Sequence, residues 1–415
     1  MAAQRGGTFR SLNNANYRVW AAGALVSNIG TWMQRTAQDW LVLTILTDHN
    51  ATALGIMTAL QFFPQLLLLP LTGFAADRID RRKLLMATQG AIGLLALGLG
   101  LLTVTGQVQL WHAYGFALLL GCTTAFDGPV RQAFVSEMVG DDELPNAVAI
   151  NSTSFNSARM IGPAIAGLSI AVIGTGWVFI INALSFIPVL WSLLAINEAR
   201  LFKTDKPLAK SGLWEAFPYV WQQKRILFTL LMLFLMGSVG LNFPIFISTM
   251  STLVFHGDAS QYGLMTSMLA IGTISGALLA ARRDKPRPAL LLAGSLAFTL
   301  TMVLAALSPN EVVFCVLLVL IGLAAQTFII TANSSIQLAT QPQMRGRVMA
   351  IFMAISLGGM PLGGPFVGWV VDHFGARWGL VVGACGGLAA SLAALCYWLW
   401  FHHKAPSEKR SDSIS

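Results

Sequence analysis

The sequence predicts an all-α membrane protein whose twelve transmembrane helices form two six-helix halves. Only 11% of its 415 residues are charged and 55% are hydrophobic, whereas an average soluble domain carries roughly 25% charged residues. Apolar stretches of the roughly 20 residues that a helix needs to cross a bilayer recur along the whole chain. The basic residues concentrate in alternate connections between these stretches, as they do in multi-pass membrane proteins.

Each predicted span corresponds to one apolar stretch, and one long polar segment divides the spans into two sets. Residues 1–196 are predicted to form the first six-helix bundle, 197–225 a cytoplasmic linker, 226–403 the second bundle and 404–415 a cytoplasmic tail. The spans are predicted at 19–46, 52–76, 84–105, 109–129, 147–173, 177–196, 226–252, 261–281, 289–307, 312–335, 348–371 and 377–401.

The distribution of Lys and Arg predicts the orientation. When the N-terminus is placed in the cytoplasm, most of the 26 basic residues fall in cytoplasmic segments, as the positive-inside rule requires. A missing span would remove this asymmetry, so the pattern predicts twelve spans with both termini in the cytoplasm. We expect the membrane to be the bacterial inner membrane. Topology therefore explains the net charge of +8. The basic loops lack interleaved aromatic residues, so no nucleic-acid binding is predicted.

The two predicted halves share weak internal similarity. Gly162-Pro163 in the fifth span recurs as Gly364-Pro365 in the eleventh, and the end of the second span, 73–78, has a counterpart at 276–282. Similar motifs six spans apart indicate duplication of a six-helix unit. Parallel repeats of this kind are a transporter architecture, with the substrate site between the halves near the middle of the membrane.

The connection between the second and third spans carries the most specific motif. It has Gly73, then Asp77-Arg78, then a basic cluster at 81–83, and it resembles the signature loop of the major facilitator superfamily, although Asp80 stands where that pattern usually has glycine. The segments 126–134 and 345–348 are most similar to the branch that contains the enterobactin exporter and related secretion effectors. The resemblance covers essentially the whole chain and implies the major facilitator fold.

The same resemblance implies a conformational latch that holds the outward-facing state shut on the cytoplasmic side. Its residues are Gly73, Asp77, Arg78, Arg81 and Asp127, and Asp127 is expected to pair with Arg81. A neighbouring helix N-terminus would favour the charge of Asp77 at the hydrocarbon boundary. The alternative, positive charge on the cytoplasmic side alone, explains the basic cluster but not this acidic residue.

A Gly-Pro pair in the fifth span is predicted to be a hinge. Pro163 removes a backbone hydrogen bond and Gly162 permits close helix contact, so a bend is expected here. The surrounding segment, 158–167, resembles the antiporter motif of the superfamily, although alanines replace two of its expected glycines. The alternative is ordinary packing of small residues between helices.

Three ionisable side chains stand out among those inside predicted spans, where charge is costly and usually functional. Arg159 lies roughly 16 Å beyond the start of the fifth span, near the middle of the bilayer, and binds either an anionic group or helix carbonyls. Arg35 and Asp39 lie on one face of the first span. Asp39 either carries a proton or forms a static pair with Arg35, and these two residues are the predicted proton-coupling site.

A substrate cavity is predicted from polar and aromatic side chains in the first, fifth and tenth spans. Asn and Gln in lipid-embedded helices also bond helix to helix, and this alternative stays open. The predicted cavity residues are Asn28, Thr31, Trp32, Arg35, Asn151, Phe155, Arg159, Gln326 and Asn333.

The sequence lacks nucleotide-binding, hydrolase and metalloprotease motifs, so we expect no enzyme activity, no cofactor and no metal. The resemblance implies a secondary active transporter: a monomeric, proton-coupled exporter of an amphipathic small molecule, such as a siderophore or drug, working by alternating access. Superfamily drug antiporters often carry an arginine within the fourth span, whereas Arg131 falls at or beyond its predicted end. The alternatives are a nutrient uptake carrier of the same fold and a non-transporting receptor or scaffold.

Overall fold

The computed structural model describes residues 9–68, 71–72, 75, 78–202, 215–282, 289–341 and 343–411. Within these ranges the regular elements are helices and no strand occurs, which confirms the all-α class. The main helices, numbered along the chain, are α1 Ala15–Trp40, α2 Ala51–Leu67, α3 Arg81–Val104, α4 110–139, α5 Asp142–Ile173, α6 Thr175–Ala195, α7 Lys224–Val254, α8 Ala259–Ala281, α9 Ala289–Ala306, α10 Glu311–Ala339, α11 Arg345–Phe374 and α12 Ala376–Ser411.

In the described part of the chain, nine helices are long and apolar enough to cross a membrane. They are α3 and α5 to α12, with α12 counted over Ala376–Cys396. Helices α1, α2 and α4 occupy the other three predicted spans, but α2 has only 17 residues and α1 carries Arg35 and Asp39 in its interior. The total of twelve spans stays a prediction.

Helix α4 continues beyond the predicted end of its span at residue 129. It ends at Gly140, whose φ of 72° and ψ of 173° are accessible to glycine and break the helix. The added turns are polar on one side, but Val130, Phe134 and Met138, four residues apart, are fully buried. A criterion of continuous apolarity misses such an amphipathic extension. Arg131 therefore lies within α4, two residues beyond the predicted end of its span.

Backbone irregularities recur at corresponding places in the two sets of helices. A π-helical segment, Leu41–Leu46, follows α1, and another, Met250–Val254, ends α7. Among the described residues that are not glycine, His49 and His256 have positive φ, and each lies in the connection to the next helix. These shared departures from regular geometry agree with the duplication that the sequence motifs predict.

The chain forms two compact units. Unit 1 comprises Met1–Ala209 and His256–Ser267, and unit 2 comprises Lys210–Phe255 and Met268–Ser415. Helix α8 belongs to the second predicted bundle, yet its first turns, up to Ser267, pack within unit 1. This assignment places residues of α8 beside α1 and α5.

Each described end of the predicted linker forms an ion pair within its own unit. In unit 1, Arg82 forms an ion pair with Glu198, and in unit 2, Arg347 forms one of 2.5 Å with Glu215. The carboxylate side chains of these pairs are 63% and 64% exposed. Ion pairs this accessible to water contribute little to stability.

Helix α1 is packed closely by α5 and α6 in unit 1. A Cβ atom on Gly23 would lie 2.9 Å from the Cα of Val189 in α6, and one on Gly162 of α5 would lie 2.6 Å from the Cβ of Trp32. Glycine at these positions therefore allows the helix backbones to approach. The close approach brings the polar side chains of α1 into contact with neighbouring helices.

Candidate functional site

Asp39, in the last turn of α1, is bound by a residue of α8. Its Oδ2 accepts a hydrogen bond of 2.9 Å from the hydroxyl of Tyr262. The ring of Tyr262 stacks on that of Trp40 with centroids 6.0 Å apart. The ion pairs found among the described residues, within a limit of 4.0 Å, include neither Asp39 nor Arg35. No direct ion pair therefore joins Asp39 to Arg35, and both alternatives, proton carrier and static partner of Arg35, stay predictions.

Arg35 lies beside two aromatic rings. Its guanidinium carbon is 5.0 Å from the ring centroid of Trp32 and 5.7 Å from that of Phe62 in α2. Trp32 meets Phe155 of α5 edge to face, with centroids 5.7 Å apart. Arg159 follows Phe155 by one helical turn, on the same side of α5. The structure thus brings together Trp32, Arg35 and Phe155, three of the predicted cavity residues.

The other predicted cavity residues do not all join this group. The hydroxyl of Thr31 donates to a carbonyl one turn earlier in α1, at 2.8 Å. In unit 2, Asn333 accepts a 2.7 Å hydrogen bond from Gln337 one turn later in α10. Asn151 in α5 and Gln326 in α10 are both partly buried. Thr31 and Asn333 therefore have hydrogen-bond partners within their own helices. This is what we expect of polar residues with a structural role.

Asn28 belongs to a separate polar cluster centred on Asp127 of α4. The Oδ2 of Asp127 accepts hydrogen bonds from the Nε and Nη2 of Arg131 at 3.1 and 2.7 Å. Its Oδ1 accepts from Thr88 at 2.9 Å and from Gln89 at 2.5 Å, both in α3. Arg131 also donates to the Oδ1 of Asn28 at 3.1 Å. This cluster therefore connects α1, α3 and α4 around a carboxylate that is 6% exposed.

The expected pair between Asp127 and Arg81 is wrong. Arg81, the first residue of α3, forms its ion pair of 2.7 Å with Glu137, which lies about 15 Å further along α4 at the usual helical rise. The longer α4 carries Glu137 to Arg81 and places Arg131 one turn after Asp127, on the same face. Both acidic residues therefore have partners that a helix ending at residue 129 would not supply.

Of the other three proposed latch residues, the structure describes Arg78. Gly73 and Asp77 lie outside the described residues, and Arg78 is exposed. The latch therefore stays a prediction, with Asp127 and Arg81 in different ion pairs.

The predicted hinge is a site of close packing. Helical geometry is kept through Gly162 and Pro163, because the non-helical residue of the stretch Leu110–Ile173 is Gly140. A Cβ on Gly162 would also lie 3.2 Å from the carbonyl oxygen of Ile29. On the other side, a Cβ on Gly263 of α8 would collide with the carbonyl oxygen of Pro163. These contacts support the small-residue packing alternative, and the hinge stays a prediction.

Sequence reasoning missed several polar partners. Tyr262 is separated from Asp39 by 223 positions, so no local pattern connects them. Thr88 and Gln89 carried a weak signal, because two adjacent polar residues interrupt an otherwise apolar span. Gln34 and Asn182 likewise form a buried hydrogen bond between α1 and α6.

The fold is shared with solved transporters. The nucleoside transporter NupG superimposes with a TM-score of 0.74 at 14% sequence identity, covering 92% of this chain and 99% of that chain. A D-xylose–proton symporter superimposes with a TM-score of 0.71 at 15% identity, covering 93% and 97%. Such low identities show the fold alone. The described helices therefore have the fold of the major facilitator transporters.

Sequence comparison identifies the family. Residues 6–412 match the family described as transmembrane secretion effector, and the chain belongs to it. The staphyloferrin A transporter of Staphylococcus aureus is 28% identical, over 84% of this chain and 87% of that protein. The multidrug efflux pump Tap of Mycolicibacterium fortuitum is 26% identical, over 85% and 88%. The enterobactin exporter EntS of Shigella flexneri is 24% identical, over 78% and 77%.

Proposed function

We propose that this protein is a secondary active exporter that moves an amphipathic small molecule, a siderophore or a drug, out of the bacterial cytoplasm. It works as a monomer in the inner membrane, with both termini in the cytoplasm, by alternating access. The observation that carries the proposal is the identity of its relatives. Proteins named for transport or export of two siderophores and for multidrug efflux each match between 78% and 85% of the chain.

Asp39 supports coupling to protons. Its carboxylate lies within a predicted span, is partly buried and is held by the neutral hydroxyl of Tyr262. A carboxylate held in this way exchanges a proton without the loss of an ion pair. Asp127, in contrast, is bound by Arg131 and two further donors, so it is suited to holding helices together. We therefore assign proton carriage to Asp39.

The ion pairs of unit 1 suit a body that moves as a whole. Asp127 and Arg131 connect α4 to α1 and α3, and Arg81 connects α3 to the end of α4 through Glu137. In alternating access, rocking of one repeat against the other requires each to remain intact. The proposed latch would act at the end of α4 that carries Glu137.

Transport in inverted membrane vesicles tests this function. Addition of the right substrate from a panel containing staphyloferrin A, enterobactin and amphipathic drugs should dissipate an imposed pH gradient. Asp39→Asn should abolish this response, whereas Asp48→Asn, the same change at an exposed residue, should preserve it. If no compound moves protons although the folded protein binds one, proton antiport is excluded. Accumulation in the opposite direction would identify an uptake carrier, and binding without flux a receptor.

A further inference from the structure

Among the described residues, Arg35 has no acceptor for its buried Nε. No hydrogen-bond partner for this atom lies among the described residues, and the guanidinium belongs to none of their ion pairs. Arginine keeps its charge in proteins and presents donors in a planar fork. A charged group without an ion pair inside a membrane span is costly and is by default functional. This arginine therefore requires an explanation beyond packing.

Two acidic residues of unit 1, Asp39 and Asp127, have hydrogen-bond partners other than Arg35. Asp39 is one turn away but accepts its hydrogen bond from Tyr262. Asp127 is bound by Arg131, Thr88 and Gln89. Neither residue neutralises Arg35 by a direct ion pair, so its charge is available to an anion from outside the protein.

Aromatic rings surround the guanidinium and would select what binds there. Trp32 and Phe62 lie within cation–π distance of Arg35, and Phe155 adds an edge-to-face contact with Trp32. Phe155 keeps 46% of its surface exposed. Arg159, one turn beyond Phe155, adds a second positive charge on that side of α5. The group thus combines positive charge with flat apolar surface.

We propose that Arg35 is the anion-binding residue of the substrate site, and that the substrate is an amphipathic anion with a carboxylate attached to a planar or aromatic group. The guanidinium receives the carboxylate in bidentate geometry, and Trp32 and Phe155 contact the planar part. This inference rests on the proposed function, because it names the chemical class of the exported molecule.

Binding of two matched probes tests the inference. The purified full chain, in lipid nanodiscs, is titrated by equilibrium dialysis with naphthoate and with naphthamide, which is planar and of similar size but neutral. The wild type should bind naphthoate about tenfold or more tightly, as a hydrogen bond to a charged group implies. Arg35→Gln should remove this preference by weakening naphthoate alone. Arg225→Gln, the same change at an exposed residue, should leave both affinities unchanged.

Two further variants keep the test decisive if Arg35→Gln does not fold. Arg35→Lys should keep a reduced preference for naphthoate, because the charge remains but the bidentate geometry is lost. Trp32→Leu should weaken both probes by a similar factor. Equal affinities of the wild type for the two probes, or a preference that survives Arg35→Gln, would overturn the inference even if export is observed. Charge-selective binding without proton-coupled flux would instead leave this site standing and remove the transport proposal.

Discussion

The hydroxyl of Tyr262 donates a hydrogen bond of 2.9 Å to the Oδ2 of Asp39. This bond joins α8 to α1 within unit 1. Among the described residues, Tyr262 is the hydrogen-bond donor found for this carboxylate, and Arg35 forms no ion pair with it. The environment of the proposed proton carrier is therefore controlled by a residue from another helix.

Tyr262→Phe tests the role of this bond in coupling. The hydroxyl is the hydrogen-bond donor that the described residues provide to this partly buried carboxylate, so its removal leaves Asp39 without that partner. Substrate-dependent proton movement in inverted vesicles should therefore slow in this variant. We expect the initial rate to fall about fivefold, the equivalent of about 1 kcal/mol for one hydrogen bond.

The matched control is Tyr114→Phe, which removes a hydroxyl that forms no hydrogen bond among the described residues. The initial rate of this variant should coincide with that of the wild type in the same vesicle assay. An unchanged initial rate in Tyr262→Phe would show that the hydrogen bond to Asp39 does not contribute to proton coupling.

Asp127→Asn tests whether the polar cluster of α1, α3 and α4 maintains the fold. The change removes the negative partner of Arg131, which is itself partly buried. The side chain of Asp127 is 8% exposed. We expect a loss of about 3 to 5 kcal/mol in the free energy of unfolding, as for other buried pairs deprived of one partner. Thermal unfolding of the purified protein in detergent would show this as a lower Tm.

An exposed ion pair provides the comparison for that measurement. Glu215→Gln removes the partner of Arg347 where the carboxylate side chain is 64% exposed, and it should cost less than about 1 kcal/mol. The double variant Asp127→Asn with Arg131→Gln should be less destabilised than the sum of its single changes. Equal shifts in Tm for Asp127→Asn and Glu215→Gln would contradict a structural role for the buried cluster.

Helix class and approximate helix positions are predictable here because they follow from local composition. Apolar runs of sufficient length predict most of the helices, and the interruption at Gly140 has a glycine to mark it. The end of α4 is less predictable, because its last turns are amphipathic and their buried face, Val130 and Phe134, becomes apparent only from packing. A prediction based on apolarity therefore ends the helix early.

In the candidate site too, features set by local sequence could be predicted, and those that depend on contacts between helices could not. Trp32, Arg35 and Phe155 could be predicted as candidates, since a charged residue inside a span is rare and aromatic side chains accompany it in the same or a neighbouring span. Tyr262 could not, because its role depends on contact with a helix far away in the sequence. The partner of Asp127 was missed because the choice between Arg81 and Arg131 depends on whether α4 remains helical beyond residue 129. Helical geometry then brings Arg131, four residues later, onto the same face.

Gly162→Ala tests the close approach of α5 to α1. The added Cβ would lie 2.6 Å from the Cβ of Trp32, so α5 must move or Trp32 must shift away from Arg35. Overpacking of this kind costs about 1 to 3 kcal/mol, and it should also weaken binding of both naphthalene probes. Gly90→Ala in α3 is the control, because its added Cβ meets nothing within 4 Å; it should be neutral or slightly stabilising. Similar Tm values for the two variants would refute the packing argument.

Gly363→Ala tests whether unit 2 depends on a contact of the same kind. A Cβ at this position of α11 would overlap the carbonyl oxygen of Ser238 in α7, and backbone atoms cannot rotate away as a side chain can. The Tm should therefore fall further than in Gly162→Ala, by an amount equivalent to about 3 kcal/mol. Gly346→Ala, also in α11 but with open space around the added Cβ, should leave the Tm within a degree or two of the wild type. A loss for Gly363→Ala no larger than that for Gly162→Ala would contradict this argument, because it would mean that α7 and α11 adjust more easily than α1 and α5.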